Sequence, residues 1–554
     1  MALEQLIDVV QRCQAIKDES FPPEDYDLFL TAGRTCIEQG DSAQLLSILV
    51  DEDNKVSSPK ELLIGLLEQV EDADSSSIAD TVTLLLKPLQ KVLLRMGVKK
   101  ASSVGMSLST LLSQVVRLPV PVTKEQEEDD VFGLCRCCTA LLEFVKPFVL
   151  EIKEVVKDNN RLSRDNELRV ELLKFCMKSL SEPLLEVLLK DPDMLQKSPL
   201  REFASEILVI LSNIGESLLD LLSRNVLKRK EVQGFLEEEV RYPKESLACI
   251  SHLLFVHHIG MDIFPAVLSP VFIIQCNMGY VELLLNRTEE SRLQKGLELY
   301  EKSLVGVEDN SLPVDLLELK IFFSVPQNLV KVMTLCPDQT LRTKGLKVFQ
   351  LSIDKFSTEA KYKFFRGMLK TSHHAGVEGY LIKNIKNQID FSLKPCNGND
   401  WFLGKHLLPL LRLVMCLPQG PETDLLQNLD RIMESLNLLR YMLIRDKEWE
   451  NETGIWTELY KIEDIYLKPL RTGLNMSKAH YAAELKSTKD NKKLSSKDSK
   501  TPTCTVTVGN EKLPNMSPEM QIQVLQSALF TFDLIESVLA RIEEIIEAKD
   551  MPLS

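Results

Sequence analysis

Residues Leu425 to Arg445 read LLQNLDRIMESLNLLRYMLIR. Wound on a helical period, Leu425, Leu429, Ile432, Leu436, Leu439 and Leu443 fall on one stripe, the mark of a face buried against neighbouring helices. The opposite face carries Asp430, Glu434 and Arg445, and among them Leu438 and Tyr441. An aromatic ring and a leucine set among charges have the make-up of a binding anchor. The stretch therefore predicts a packed helix with a second face available to a partner.

The same pattern extends outward through the chain. Ser58-Pro59-Lys60-Glu61 is a capping box with proline at the first helical position, so a helix opens there and runs through Leu62, Leu66, Leu67 and Val70. Further helices are expected over Ile78 to Met96, with a kink at Pro88, and over Val131 to Val156, Glu167 to Leu180, Pro183 to Leu189, Leu200 to Leu222 and Glu245 to Met261. No strand pattern competes, apart from a short β-prone run at Thr503 to Val508. No strict repeat motif stands out, yet antiparallel helix pairs stacked side by side fit the spacing. The expected class is all-α, a HEAT- or armadillo-like stacked helical-repeat array, whose default work is binding protein.

Length and composition agree with that class. A chain of 554 residues is too long for one ordinary core, and only 22 glycines are poor provision for Gly-rich phosphate turns. The net charge of -15 repels phosphate backbones and anionic membranes, so nucleic acid and membrane insertion are not expected, and basic protein surfaces are better partners. The long uncharged run Ile263 to Val281 includes Pro265, Pro270 and Gly279, and reads as a buried helix pair instead of a span. The opening MALEQLIDVVQRCQ mixes acids into its apolar pattern and reads as a first amphipathic helix, not a leader. The expected setting is the cytoplasm, with the 12 cysteines reduced.

Near the end the texture changes. The stretch 486–503, KSTKDNKKLSSKDSKTPT, is polar, lysine-rich and free of aromatics, and reads as a disordered loop. Residues 518–549 then form one long helix, with Ile522, Leu525, Leu529, Phe532, Ile535, Leu539, Ile542 and Ile546 as its stripe. The organisation read from the sequence is an N-terminal set of helical repeats, 1–245, and a C-terminal set, 246–554, holding the partner surface.

Signals of chemistry are sparse. Cys135-Arg136-Cys137-Cys138 holds a CxxC, but a structural zinc needs four ligands and the nearest histidine in sequence is His252. These cysteines lie in a helical pattern with Leu134, Leu141 and Leu142, and read as packed thiols. The pairs His257-His258 and His373-His374 point to different faces of a helix and do not chelate one ion. Phosphate-loop, dinucleotide, zincin and nucleophile-elbow patterns are absent from the sequence. The carboxylates come in runs, as at Glu125 to Asp130 and Glu237 to Glu239. The reading is a non-enzyme with no catalytic residues, no metal and no cofactor.

The aromatics say more. All three tryptophans, Trp401, Trp449 and Trp456, lie in one part of the C-terminal third, near Tyr441, Tyr460, Tyr466 and Tyr481 and interleaved with Lys386, Lys405, Arg440, Arg445 and Lys478. Tryptophan and tyrosine are enriched in interface anchors, which puts the main partner site here. The rival reading is an acidic helical-repeat adaptor or transport scaffold cradling a basic segment. It predicts a tryptophan ladder along the middle repeats, and no tryptophan precedes position 401.

Several long strings carry a resemblance: VLSPVFIIQCNMG at Val267 to Gly279, RTEES at Arg287 to Ser291, VEDNSL at Val307 to Leu312, VKVMTLCP at Val330 to Pro337, DRIMESLNLLRY, GLNMSKAHY and SALFTFDLIESVLARIEE. Together they make essentially the whole chain resemble the glomulin family, animal helical-repeat proteins that restrain cullin-RING ubiquitin ligases. The family pattern expects a further helical pair where only Ser57 and Ser58 join Asn54-Lys55-Val56 to Pro59, so a segment looks missing there. The resemblance implies that the C-terminal repeats grip the RING domain of the RING-box subunit, and through it cullins, and block the face that recruits the ubiquitin-conjugating enzyme. The residues expected to make that contact are Lys386, Trp401, Phe402, Arg440, Tyr441 and Lys478. The resemblance also implies links to FK506-binding proteins and a growth-factor receptor, on which no residue pattern bears.

Overall fold

The computed structural model describes residues 59–158, 166–189, 198–227, 241–264, 267–394, 397, 400–446, 450–495, 506–508, 511–513 and 517–550. The Ser58 cap, the first amphipathic helix, the Ser57-Ser58 junction, Trp449 and Glu237 to Glu239 lie outside the described residues. Among the described residues 79% are helical, and the class is all-α, a stacked helical-repeat array.

The chain divides into two compact units. One takes the chain to Val307 together with Ser324–Ser352; the other takes Glu308–Phe323 and the chain from Ile353. Residue 245, the division read from the sequence, falls within the first unit.

In the first unit, α1 (Pro59–Glu71), α2 (Ile78–Arg95) and α3 (Ala101–Val115) are followed by α4 (Leu134–Asp158) and α5 (Glu167–Ser181). Pro59 opens α1 and Pro88 sits within α2. Ahead of α4 the acidic run at Glu125 forms a single helical turn, whose Thr123 and Gln126 make a reciprocal capping box. Residues 182–186 after α5 are a turn and not the expected helix over Pro183 to Leu189. Leu184 and Leu185 are fully buried within that turn.

The segment read as one helix over Leu200 to Leu222 is two, α6 (Pro199–Asn213) and α7 (Leu218–Leu227), broken at Gly215 with φ of 82°. Ser198 caps α6 by accepting from the Arg201 N–H at 3.1 Å. Next come α8 (Lys244–Phe255), α9 (Pro270–Leu285) and α10 (Glu290–Val305). Among its described residues the Ile263 to Val281 run holds one long helix, not a helix pair, with Pro265 and Ala266 outside the described residues; Ser269 and Pro270 fix the helix start. α9 and α10 form an antiparallel hairpin, and helices α11 (Ile321–Leu335) and α12 (Gln339–Lys355) follow.

The second unit holds α13 (Thr358–Thr371), α14 (Ala375–Ser392), α15 (Gly404–Val414), α16 (Leu429–Arg445), α17 (Ile455–Ile462), α18 (Lys468–Ser495), a two-stranded pair β1 (Val506–Val508) and β2 (Glu511–Leu513), and α19 (Pro518–Asp550). α18 carries helix through the first ten residues of the expected loop, and 496–503 lie outside the described residues. Ser487, Thr488, Asp490 and Asn491 are weak helix formers, but a long helix already nucleated over Ala482, Ala483, Glu484 and Leu485 extends through them.

Polar links show the repeat that the sequence hides. Arg292 and Glu245 are 47 residues apart, as Lys344 and Glu298, Lys347 and Glu301, and Arg412 and Glu458 are each 46 apart. Each link ties a helix to its counterpart in the next helix pair. A separation near this value is the length of a two-helix repeat of HEAT or armadillo type.

Candidate functional site

The region singled out by its aromatics is built on α14 and α16, which run side by side in parallel. Gly379 lies against the backbone of Asp430, where a Cβ would come within 3.0 Å of the Asp430 carbonyl oxygen. Next to that contact, with no side chain on Gly379 to hold the helices apart, Arg431 reaches Glu378 at 2.6 Å and the Leu413 carbonyl at 3.0 Å. At the far end of the seam Tyr441 donates its hydroxyl proton to Asp390 at 2.6 Å, and the Lys386 ammonium stands 5.1 Å from the centre of its ring.

Burial and the neighbouring Asp390 carboxylate push the Tyr441 phenol up to about 12. The Tyr441 and Lys394 hydrogen bonds hold the Asp390 carboxyl below its ordinary range. The pair is therefore a neutral phenol bonded to an ionised carboxylate. Beside it Arg440 is exposed and makes no ion pair among the described residues.

Of the six residues expected at the partner surface, the structure brings Lys386 and Tyr441 into contact, with Arg440 next along the helix. Trp401 belongs to a second cluster, half-buried between Tyr362 at 5.3 Å and His406 at 5.0 Å between ring centres. Phe402 is corrected to a core residue: it is fully buried, edge-on to Tyr362 and Phe365, and presents no ring to a partner. Lys478 is engaged within the fold, bonding Asp533 at 2.5 Å and also Glu536, which ties α18 to α19.

Two further readings of α16 change. Leu438 is fully buried, because α14 packs on α16 from one side and α19 from another. Leu425 and the next three residues form a turn ahead of the helix, although Leu425 is still buried. One residue escaped the sequence reading: Ile444 is exposed one turn beyond Arg440 and Tyr441. Its signal was a large apolar residue off the main stripe.

The CxxC thiols are packed. Cys135, Cys137 and Cys138 are all buried, and burial raises Cys135 and Cys137 to about 12. No group of metal-ligating side chains occurs among the described residues. One helix among them, Pro518–Ala548, is long and apolar enough to cross a membrane by length and composition. Its Leu525, Phe532, Ile535, Leu539 and Ile542 are buried in the stack with α16 and α18.

The fold and this surface define a helical-repeat protein that displays aromatic and cationic side chains along a seam between parallel helices. The chain belongs to the family described as "Uncharacterised protein family, YAP/Alf4/glomulin", whose model matches residues 54–528. It is 49% identical to Glomulin of Homo sapiens over 593 aligned positions, covering 99% of this chain and 98% of that one. It is 48% identical to Glomulin of Mus musculus over 596 positions, with 100% and 99% covered. Both alignments exceed the 554 residues of this chain, so each relative has residues that this chain lacks. Among solved structures a circular tandem repeat protein with novel repeat topology matches at 13% identity and a TM-score of 0.23, over 99% of this chain and 98% of that one. That likeness is too loose to bear on the fold.

Proposed function

We propose that the chain is a non-enzymatic, cytoplasmic inhibitor of cullin-RING ubiquitin ligases. It binds the RING domain of the RING-box subunit and occupies the face that recruits the ubiquitin-conjugating enzyme. What carries the reading is family membership over nearly the full length, joined to the resemblance of the C-terminal strings. The surface around α16 is compatible: exposed Arg440 and Ile444 flank half-buried Tyr441. A RING surface of this kind is a small apolar groove with a polar rim, to which an aromatic with arginine and lysine around it is complementary. Inhibition then needs no chemistry from this chain, since two proteins cannot fill one groove.

The test is a ubiquitin-chain assay with a purified RING-box and cullin complex, adding the parent chain or its Arg440→Glu or Tyr441→Ala variant. Arg440 is exposed, so reversing its charge leaves the fold intact, as circular dichroism will verify. The expected result is that the parent slows chain formation and both variants lose potency, by about tenfold or more for a true anchor. A parent chain that neither binds the RING nor slows transfer sinks the reading and turns attention to a basic peptide cargo.

A further inference from the structure

The first unit has a groove of its own. Between α4 and α6 lies a cavity of about 430 Å³, lined on the α4 side by Leu142, Val145, Val149 and Leu150 and on the α6 side by Pro199 and Ile210. Leu150 is 50% exposed there, although it is large and apolar and stands in the middle of a helix. The volume is within the range of about 300–1,000 Å³ that takes up ligand groups.

Charge around this floor is one-sided. Glu202 and Glu206 stand one turn apart on the exposed face of α6, and Glu143 faces them from α4. The only cation among the lining residues is Lys146, 3.4 Å from Glu143. Glu202 and Glu206 have no cationic partner among the described residues; the α6 N-terminus favours the Glu202 charge in its first turn, while Glu206 one turn on meets only a like charge. Their placement is useful when a cation comes from outside.

We infer that the α4–α6 groove docks a short amphipathic helix of a partner protein, with one or two large apolar side chains against Leu142, Val149, Leu150 and Ile210 and with lysine or arginine against Glu202 and Glu206. An apolar floor with a rim of single-signed charge is the helix-in-groove arrangement, in which the apolar anchors supply affinity and the charges set orientation and association rate. The groove lies wholly in the first unit, and the inference does not rest on the ligase reading.

The probe is a fluorescein-labelled helical peptide of leucine and lysine, with a twin in which glutamate replaces lysine, and the readout is fluorescence anisotropy with the full chain. Three variants are compared: Glu202→Lys with Glu206→Lys, Leu150→Asn, and a control with the same charge change at two exposed carboxylates of the other unit, Asp315→Lys with Glu318→Lys. All the altered side chains are exposed, and circular dichroism verifies that each variant is folded. The expected result is that the lysine peptide binds the parent and the control alike, that both groove variants bind it about tenfold more weakly, and that the glutamate twin does not bind. Equal weakening in the control, an unaffected Leu150→Asn, binding of the glutamate twin, or no binding to the parent each overturns the inference.

Discussion

Arg431 on α16 and Glu378 on α14 meet at 2.6 Å with side chains only 12% and 5% exposed, so the seam beneath the candidate surface is closed by a buried ion pair. A buried charge that loses its partner keeps its desolvation cost, whereas removal of both charges leaves an apolar contact. Glu378→Ala is therefore expected to destabilise the chain by about 3–5 kcal/mol, and Glu378→Leu combined with Arg431→Met to recover most of it. Urea denaturation followed by circular dichroism measures both. A single variant within about 1 kcal/mol of the parent would show that the pair does not hold the seam.

The six residues expected at the surface divide by burial, and their alanine variants should divide in the same way. Phe402→Ala opens a cavity in the core cluster and is expected to cost about 3–5 kcal/mol of stability. Arg440→Ala, at an exposed side chain, is expected to stay within about 0.5 kcal/mol of the parent. Thermal unfolding of the two variants checks the contrast. Equal stability would mean that Phe402 is not the core residue its burial describes.

The helices themselves were legible because apolar residues recur at helical spacing and because breakers mark their ends, as Gly97 does after Met96 with φ of 61°. Leu438 was misread because an amphipathic pattern assumes one buried face. In a stack a helix is touched from several sides, and α16 meets both α14 and α19. Lys478 gave no local warning, since its carboxylates lie 55 and 58 residues away. The same holds for the repeat length, which is written in pairwise links such as Lys344 to Glu298 and not in a motif. The stretch from Lys486 was judged by charge and low apolar content, and there the helix begun at Lys468 propagates as far as Ser495.

Gly379 offers a test of how close α14 and α16 must be. A Cβ there would stand 3.0 Å from the Asp430 carbonyl oxygen and 3.1 Å from its carbon, both backbone atoms that cannot rotate away. Alanine favours a helix by up to about 1 kcal/mol over glycine, which offsets part of the clash. Leucine brings a larger side chain into the same space and is expected to cost about 1–3 kcal/mol by pushing the helices apart. The Tyr441 to Asp390 bond at the far end of the seam should weaken with it, which ultraviolet titration of the phenol will detect. Gly379→Leu at parent stability would rule out this close approach.

The first unit carries a pH dependence in its buried histidines. His252 on α8 lies 3.1 Å from Glu298 on α10, and its ring centre is 4.9 Å from that of His257. Arg201 of α6 donates to the His257 carbonyl, Lys295 of α10 is buried nearby, and Lys344 of α12 bonds Glu298 at 3.0 Å. Burial lowers both imidazoles below their ordinary value of 6.5, His257 to about 4, with the neighbouring cations adding to it. The unfolded chain therefore takes up protons at pH values where the folded chain does not. Stability from these groups is full above 6.5 and falls as the pH drops from there towards the folded value. Burial works to raise Glu298, but hydrogen bonds from His252, Gln294 and Lys344 outweigh it and hold the carboxyl below its ordinary 4.5. Its contribution is thus lost only below that value, and between 6.5 and 4.5 the histidines set this cluster's slope. The urea midpoint is expected to fall as the pH is lowered from about 7 to about 5, and His257→Gln, which cannot titrate, to flatten that fall. A variant with the parent's pH profile would remove His257 from this account.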